Sequence, residues 1–214
     1  MSRAAGSLPA RYDAAMPLFT RREDPRVLAD PQRLPPGQVL TQKWPVLHYG
    51  EVPRYDLGRW QLQVRGEVDE ERSLTHEEVR QLPAVEVVLD IHCVTTWSRF
   101  DNRFTGVRFG DFAQLMGMRP STRFVEFHCF GGFTTTVPVA TALDPGALLA
   151  WAHDGLELSP EHGYPLRAVM PRRYFWKSAK WLEAVEFRRD DRLGFWERNG
   201  YNNSADPWLE ERYW

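Results

Sequence analysis

The residues of this chain best suited to chemistry are a thiol at the end of a strand-like run and a set of cations far downstream. From Val85 to Cys93 the odd positions are Val, Val, Leu, Ile and Cys while the even ones are mostly polar, the period-two pattern of a half-buried strand. Cys93 therefore takes the inward face. Thr95, Thr96 and Ser98 around Trp97 then end the run, and the chain is expected to turn just after the cysteine. A thiol so placed can meet something held in a pocket, or it can be buried filler, the common state of a free cysteine. The second set lies in His162-Gly163-Tyr164-Pro165-Leu166-Arg167 and in Tyr174-Phe175-Trp176-Lys177-Ser178-Ala179-Lys180-Trp181. One turn delivers Arg167 onto a strand, and a second sets Ser178 and Lys180 just before another. A planar guanidinium fork, a hydroxyl and a compact ammonium together suit a phosphate group, although surface cations are ordinarily just solvated.

A repeated pair, His92-Cys93 and His128-Cys129, raises the alternative of a four-ligand zinc or copper site. Neighbouring residues on a strand point to opposite faces, so a histidine and the adjacent cysteine do not converge easily on one metal. A Cys93–Cys129 disulfide is geometrically conceivable but poorly suited to a reducing compartment.

The elements that must position these groups can be read in order. Residues 1 to about 43 are broken by Pro25, Pro31, Pro35 and Pro36 and read as an extended arm, leaving 44–214 as the working domain. Trp44-Pro45-Val46-Leu47-His48-Tyr49-Gly50 is an aromatic knot that could pin that arm. Trp60, Leu62 and Val64 alternate with polar residues as a strand. Thr75 and Glu78 have capping-box spacing for a short helix stopped by Pro83. Phe109 to Met116 reads as helical turns closed by Gly117. Arg123–Phe130 and Thr134–Val137, separated by Gly131-Gly132, form an expected hairpin. Asp144-Pro145 is expected to open a helix running to about His153, and Leu166–Met170 and Trp181–Phe187 are two more strands. Strands and short helices mix without regular alternation, which gives an α+β class with mixed β-sheets.

Length and composition bound the function. With 214 residues, 43% of them hydrophobic and 26% charged, the chain can bury a real core without disulfide staples. A net charge of −2 gives no nucleic-acid footprint. The N-terminus shows no apolar or twin-arginine signal, and no run approaches the ~20 apolar residues of a membrane span. A cytoplasmic protein with both thiols reduced, and a monomer, is the expectation.

His92-Cys93-Val94-Thr95-Thr96-Trp97-Ser98 resembles the His/Arg-Cys-Val-x-x-Trp-Ser segment of the sulfite-oxidase-fold molybdopterin oxidoreductases, and most resembles the branch containing the catalytic subunit of bacterial protein-methionine-sulfoxide reductase. Gly163-Tyr164-Pro165-Leu166-Arg167 and Lys177-Ser178-Ala179-Lys180-Trp181 resemble that family's pterin-phosphate motifs, and the likeness runs in order from about residue 44 to 190. It implies the sulfite-oxidase molybdopterin-binding fold and a Mo-molybdopterin cofactor, with the Cys93 thiolate on molybdenum. It also implies that Trp44, Leu47 and His48 lie beside the pterin, that His162, Arg167, Ser178, Ala179 and Lys180 surround the pterin and its phosphate, and that Cys129 contacts the cofactor. Thr95, Trp97, Arg99 and Tyr201 are candidates for the substrate wall. The implied activity is oxygen-atom transfer to or from a small sulfur- or nitrogen-containing oxide or oxyanion, with a separate protein carrying electrons.

Two departures leave the substrate open. Thr95 stands where the sulfoxide-reductase branch has glutamate, and Arg99 is out of register with the arginines of sulfite oxidases. Haem and dimerisation domains that flank many sulfite oxidases are not seen. Two other readings stay in play: a non-catalytic module whose nine Trp and seven Tyr line a carbohydrate or peptide groove, and a pterin-binding relative without turnover.

Overall fold

The computed structural model describes residues 32–214. The expected arm therefore lies outside the described residues as far as Pro31. Its remainder is fastened to the body: Arg33 Nη2 pairs with Asp90 and Asp101, each at 2.6 Å.

Two sheets carry the chain. The first comprises β1 (Val39–Leu40), β4 (Ala84–His92), β5 (Trp97–Arg108), β8 (Leu148–His153), β9 (Leu156–Glu157) and β10 (Arg167–Val169). The second has the order β3 (Arg72–Thr75), β2 (Gln61–Gly66), β11 (Leu182–Arg188), β6 (Phe124–Cys129) and β7 (Thr134–Pro138). The β2–β11 and β1–β5 pairings are parallel and the others antiparallel, so both sheets are mixed. Among the described residues four short α-helices intervene: α1 (His76–Gln81), α2 (Phe109–Leu115), α3 (Val139–Ala142) and α4 (Phe195–Arg198). The α+β class is borne out.

Most local signals act as their chemistry dictates. Thr75 Oγ1 accepts from the Glu78 N–H while the Glu78 carboxylate accepts from the Thr75 N–H, so the capping box starts α1. Gly117 follows α2 in the left-handed region, at φ +70. β4 alternates as expected, with Val85, Val87 and Leu89 turned inward and Val88 outward.

One expectation fails, and one long strand goes unforeseen. The helix expected from Asp144 to about His153 is instead a turn followed by strand β8. Asp144 Oδ1 accepts the Gly146 N–H at 2.8 Å, which closes an Asx turn where a helix would have begun. Leu148-Leu149-Ala150-Trp151 then runs fully buried between β5 and β10; a continuous apolar run covered on both faces has no helical period to lose. The twelve-residue β5 was not expected at all. It pairs with β4, β8 and β1, but bulges at Leu89/Ile91 and Thr105/Gly106 and polar Ser98, Arg99, Asp101, Asn102 and Arg103 erase its alternation.

Candidate cofactor and active site

A cavity of about 280 Å³ opens where the ends of the two sheets meet the segment from Glu161 to Trp181. The first sheet contributes Cys93, Val94, Thr95 and Trp97 from the β4–β5 turn. The second contributes Cys129 at the end of β6 and Phe133, Thr134 and Thr135 at the start of β7. Loop 44–49 forms another wall, and Trp196 and Tyr201 complete it.

The β4–β5 turn holds Cys93 in a fixed direction. The Cys93 N–H donates to the Trp97 carbonyl at 2.8 Å and the Thr96 N–H to the Cys93 carbonyl at 3.1 Å. Gln38 Nε2 donates to that same Cys93 carbonyl at 3.1 Å, and Arg212 Nη1 to the Val94 carbonyl at 2.7 Å. The Cys93 sulfur lies 3.1 Å from Thr95 Oγ1. Burial pushes the thiol up, and the Thr95 hydroxyl opposes that shift. His92 faces away: its ring lies 2.8 Å from Ser98 Oγ, and burial holds it neutral with a pKa of about 4. It therefore does not converge with Cys93 on one metal. Both cysteines are free, and burial drives the Cys129 thiol far upward, keeping it protonated.

The cations converge on one short turn. Arg167, 2% exposed, donates to the carbonyls of His162 at 2.7 Å and Ser178 at 2.8 Å. Its guanidinium lies 4.4 Å from the Phe175 ring centroid and 5.3 Å from that of Trp44. Among the described residues no carboxylate pairs with it, and burial pulls it down to about 9. Lys180 Nζ donates to the carbonyls of Leu47 and Glu161, each at 2.8 Å, so it ties loop 44–49 to the same turn. Burial, with Arg167 beside it, pulls Lys180 down to about 7. The His162 ring lies 4.0 Å from that of Trp44, tilted by 35°, and is lowered first by burial, then by Arg167. Gly163, at φ +112, lets this turn close: a Cβ there would sit 3.1 Å from Arg167 Cβ and 3.3 Å from Lys180 Cβ.

Of the residues singled out from sequence, Trp44, Leu47, His48, Cys93, Thr95, Cys129, His162, Arg167, Ser178, Ala179, Lys180 and Tyr201 all line this cavity. Ser178 keeps a hydroxyl proton to donate, since its Oγ accepts from the Met170 N–H at 2.9 Å. Ala179 offers backbone only. Arg99 is the correction. It does not line the cavity; its guanidinium is held by Asp154 at 2.7 Å, by Asn102 and by the Gln42 carbonyl. Arg99 follows the cavity-lining Trp97 by two residues, so it shares that strand face but lies further along β5, where Asp154 and Asn102 meet it.

Sequence reasoning missed Trp196, Phe133 and Thr134, contributed by hairpin and helix segments with no motif of their own. It also missed the buried pair behind the wall, where Lys177 Nζ meets Glu197 Oε1 at 2.6 Å. Glu197 Oε1 also accepts from Thr135 Oγ1 at 3.1 Å and from Trp176 Nε1 at 3.2 Å. Elsewhere, ligand atoms of Glu126, His128 and Glu186 lie within 4.8 Å of one another. Arg65, Arg188 and Arg192 already neutralise those carboxylates, so the cluster is an ion network.

The wall is built to take an anionic, polar cofactor. A buried arginine with neutral partners only is costly unless a ligand charge meets it. Trp97 and Thr134 line the cavity, and Trp97 Nε1 and Thr134 Oγ1 are buried with no hydrogen-bond partner among the described residues. A thiol completes the set with a soft donor for a redox metal.

Two mixed sheets, few short helices and this cavity define a molybdopterin-binding oxidoreductase of the sulfite-oxidase fold. The chain belongs to the family described as oxidoreductase molybdopterin binding domain, whose model matches residues 49–196. It is 48% identical over 182 residues to an uncharacterized oxidoreductase of Bacillus subtilis, YuiH, covering 85% of this chain and 92% of that one. A putative protein-methionine-sulfoxide reductase subunit of Azospira oryzae, YedZ1, is 32% identical over 181 residues, covering 82% and 69%. Among solved structures, the sulfane dehydrogenase SoxCD of Paracoccus pantotrophus has the same fold, with a TM-score of 0.63 at 17% identity. That match covers 72% of this chain and 43% of the SoxCD chain. The cofactor of the family is Mo-molybdopterin. No helix among the described residues is long and apolar enough to cross a membrane.

Proposed function

We propose that the cavity holds Mo-molybdopterin with Cys93 Sγ as the protein ligand to molybdenum and with Arg167 and Lys180 on the phosphate. The enzyme then transfers an oxygen atom to or from a small sulfur- or nitrogen-containing oxide or oxyanion. The observation that carries this is the presence of Cys93, Arg167 and Lys180 on one cavity, although 74 residues separate the first two in sequence. When bound, the metal centre supplies oxygen-atom transfer coupled to a two-electron change.

The chain supplies direction, charge and dryness. Gln38 and Arg212 fix the turn that aims the Cys93 sulfur, and Thr95 Oγ1 restrains that sulfur from one side. Arg167 and Lys180 offer charge-assisted hydrogen bonds to an anionic tail, and the rings of His162 and Trp44 pack together beside them. Thr95 and Tyr201 stand in the substrate wall; Arg99, committed to Asp154, has no part in it. Electrons arrive from or leave to a separate redox protein.

The test is metal content. Protein produced with a supply of the cofactor should carry near-stoichiometric molybdenum by mass spectrometry, and Cys93→Ser should carry far less. Equal molybdenum in both proteins, or none in either, rejects the assignment.

A further inference from the structure

Arg212 brings a positive charge to the Cys93 end from behind the cavity wall. Its Nη1 donates at 2.7 Å to the carbonyl of Val94, the residue next to the cysteine, and its side chain is 15% exposed. The guanidinium does not line the cavity; it lies 5.0 Å from the ring centroid of the buried Tyr174. Its field nevertheless reaches the sulfur. Burial raises the Cys93 thiol, and the Thr95 hydroxyl and N–H, then the charge of Arg212, oppose that shift.

A hairpin of residues 200–214 holds this arginine in place. Tyr201 and Tyr213 pair across it as an antiparallel bridge. The Asn202 N–H donates to the Arg212 carbonyl at 3.1 Å and the Trp214 N–H to the Gly200 carbonyl at 3.2 Å. Trp214 Nε1 donates to the Glu197 carbonyl at 3.3 Å, which ties the hairpin to α4. On the other side Gly37, at φ +68, leaves room, since a Cβ there would lie 3.3 Å from Arg212 Nη2. The family model stops at residue 196, so Arg212 and its hairpin lie beyond the matched region.

The charge is only partly offset. Glu210 lies 3.7 Å from Arg212 but is half exposed, so water screens that pair, whereas the side toward Val94 is turned into the protein. A metal held by Cys93 gains negative charge with each electron it accepts. A fixed cation behind its ligand stabilises the reduced form and raises the potential.

We propose that Arg212 is a positioning residue for the Cys93 ligand and the cation that raises the reduction potential of the metal held there. This rests on the reading of the cavity as the cofactor site.

The experiment uses protein produced with a supply of the cofactor, and molybdenum content is measured first. Wild-type protein without molybdenum overturns the cofactor reading, and this proposal with it, before any titration. The midpoint potential is then read from the molybdenum(V) paramagnetic resonance signal during titration with dithionite and ferricyanide in the presence of dye mediators. Arg212→Gln keeps a neutral donor for the Val94 carbonyl and removes the charge; Arg212→Lys keeps the charge. Arg212→Gln should lower the midpoint enough to change the oxidised-to-reduced ratio at least about threefold, where tenfold is about 59 mV for a one-electron couple. Arg212→Lys should stay closer to wild type. A smaller change in Arg212→Gln, or an equal shift in Arg212→Lys, overturns the proposal. Should Arg212→Gln retain no molybdenum, Glu210→Gln carries the test with Arg212 and its hydrogen bond left in place. Its midpoint should rise, and an unchanged or lower one overturns the proposal.

Discussion

Arg167 Nη2 donates to the Ser178 carbonyl at 2.8 Å, and around this buried guanidinium the described chain provides carbonyls and aromatic faces but no carboxylate. The apoprotein carries an uncompensated charge in its interior. In the proposed placement a bound phosphate resolves it, which would make the arginine a determinant of cofactor retention. A hydrogen bond to a charged group contributes about 1.5–3 kcal/mol, so Arg167→Met should weaken cofactor binding roughly ten- to hundredfold. Pterin released per chain from purified protein measures this, and unchanged occupancy in Arg167→Met/Lys180→Met would mean that the phosphate sits elsewhere.

In the proposed assignment, Lys180 makes anion binding depend on pH. Burial and Arg167 lower it to about 7 in the apoprotein, and an anion favours its charged form. Anion affinity is therefore full below about 7 and declines as pH rises through that value, by up to about tenfold per unit. In the absence of ligand the sign is opposite. The folded chain binds fewer protons than the unfolded one between about 7 and the ordinary lysine value, so this group's contribution to stability rises with pH there. Sulfate, a dianion throughout this range, is the suitable probe for apoprotein titrations between pH 6 and 9. A flat profile, or the same slope in Lys180→Met, contradicts the assignment.

Gly163 allows the cationic turn to close on Arg167 and Lys180. An alanine there takes a left-handed conformation and presses on both side-chain stems. Gly163→Ala should cost about 1–3 kcal/mol of stability and reduce pterin content together with it. Urea unfolding of the apoprotein measures the first, and a stability equal to wild type would remove the steric argument.

The Lys177–Glu197 pair lies 1% and 0% exposed in its side chains. Breaking a buried pair from one side leaves a lone charge, at about 3–5 kcal/mol. Lys177→Met should therefore destabilise by that order, while Lys177→Met/Glu197→Leu should recover part of the loss. A double variant no better than the single would show that the hydrogen bonds of Glu197 to Thr135 and Trp176 outweigh the ion pair.

How far the sequence disclosed this arrangement depended on whether a signal was local. The alternation of β4, the α1 capping box and the glycines after α2 and before β7 each act within a few residues, and each was legible. β8 was not, because an apolar run of six fits helix or strand alone and only its burial between β5 and β10 decides. β5 was hidden by its polar residues and bulges. Within the site, Cys93, Arg167 and Lys180 stood out by type and by resemblance. The partners that aim and brace them did not. Gln38, Arg212 and Glu197 reach the cavity's walls from distant segments, and nothing near them in the chain marks the contact. Arg99 shows the converse: an arginine six residues after the cysteine looked available, but β5 carries it past Trp97 and away from the cavity to Asp154.

The most direct measurement is X-ray absorption at the molybdenum edge, on wild-type protein and on Cys93→Ser prepared with enough cofactor to retain some metal. The account predicts one sulfur neighbour fewer around molybdenum in the variant, with an oxygen in its place or the position lost. An identical sulfur shell in the two proteins would contradict it, since the Cys93 thiolate would then not be bound to the metal.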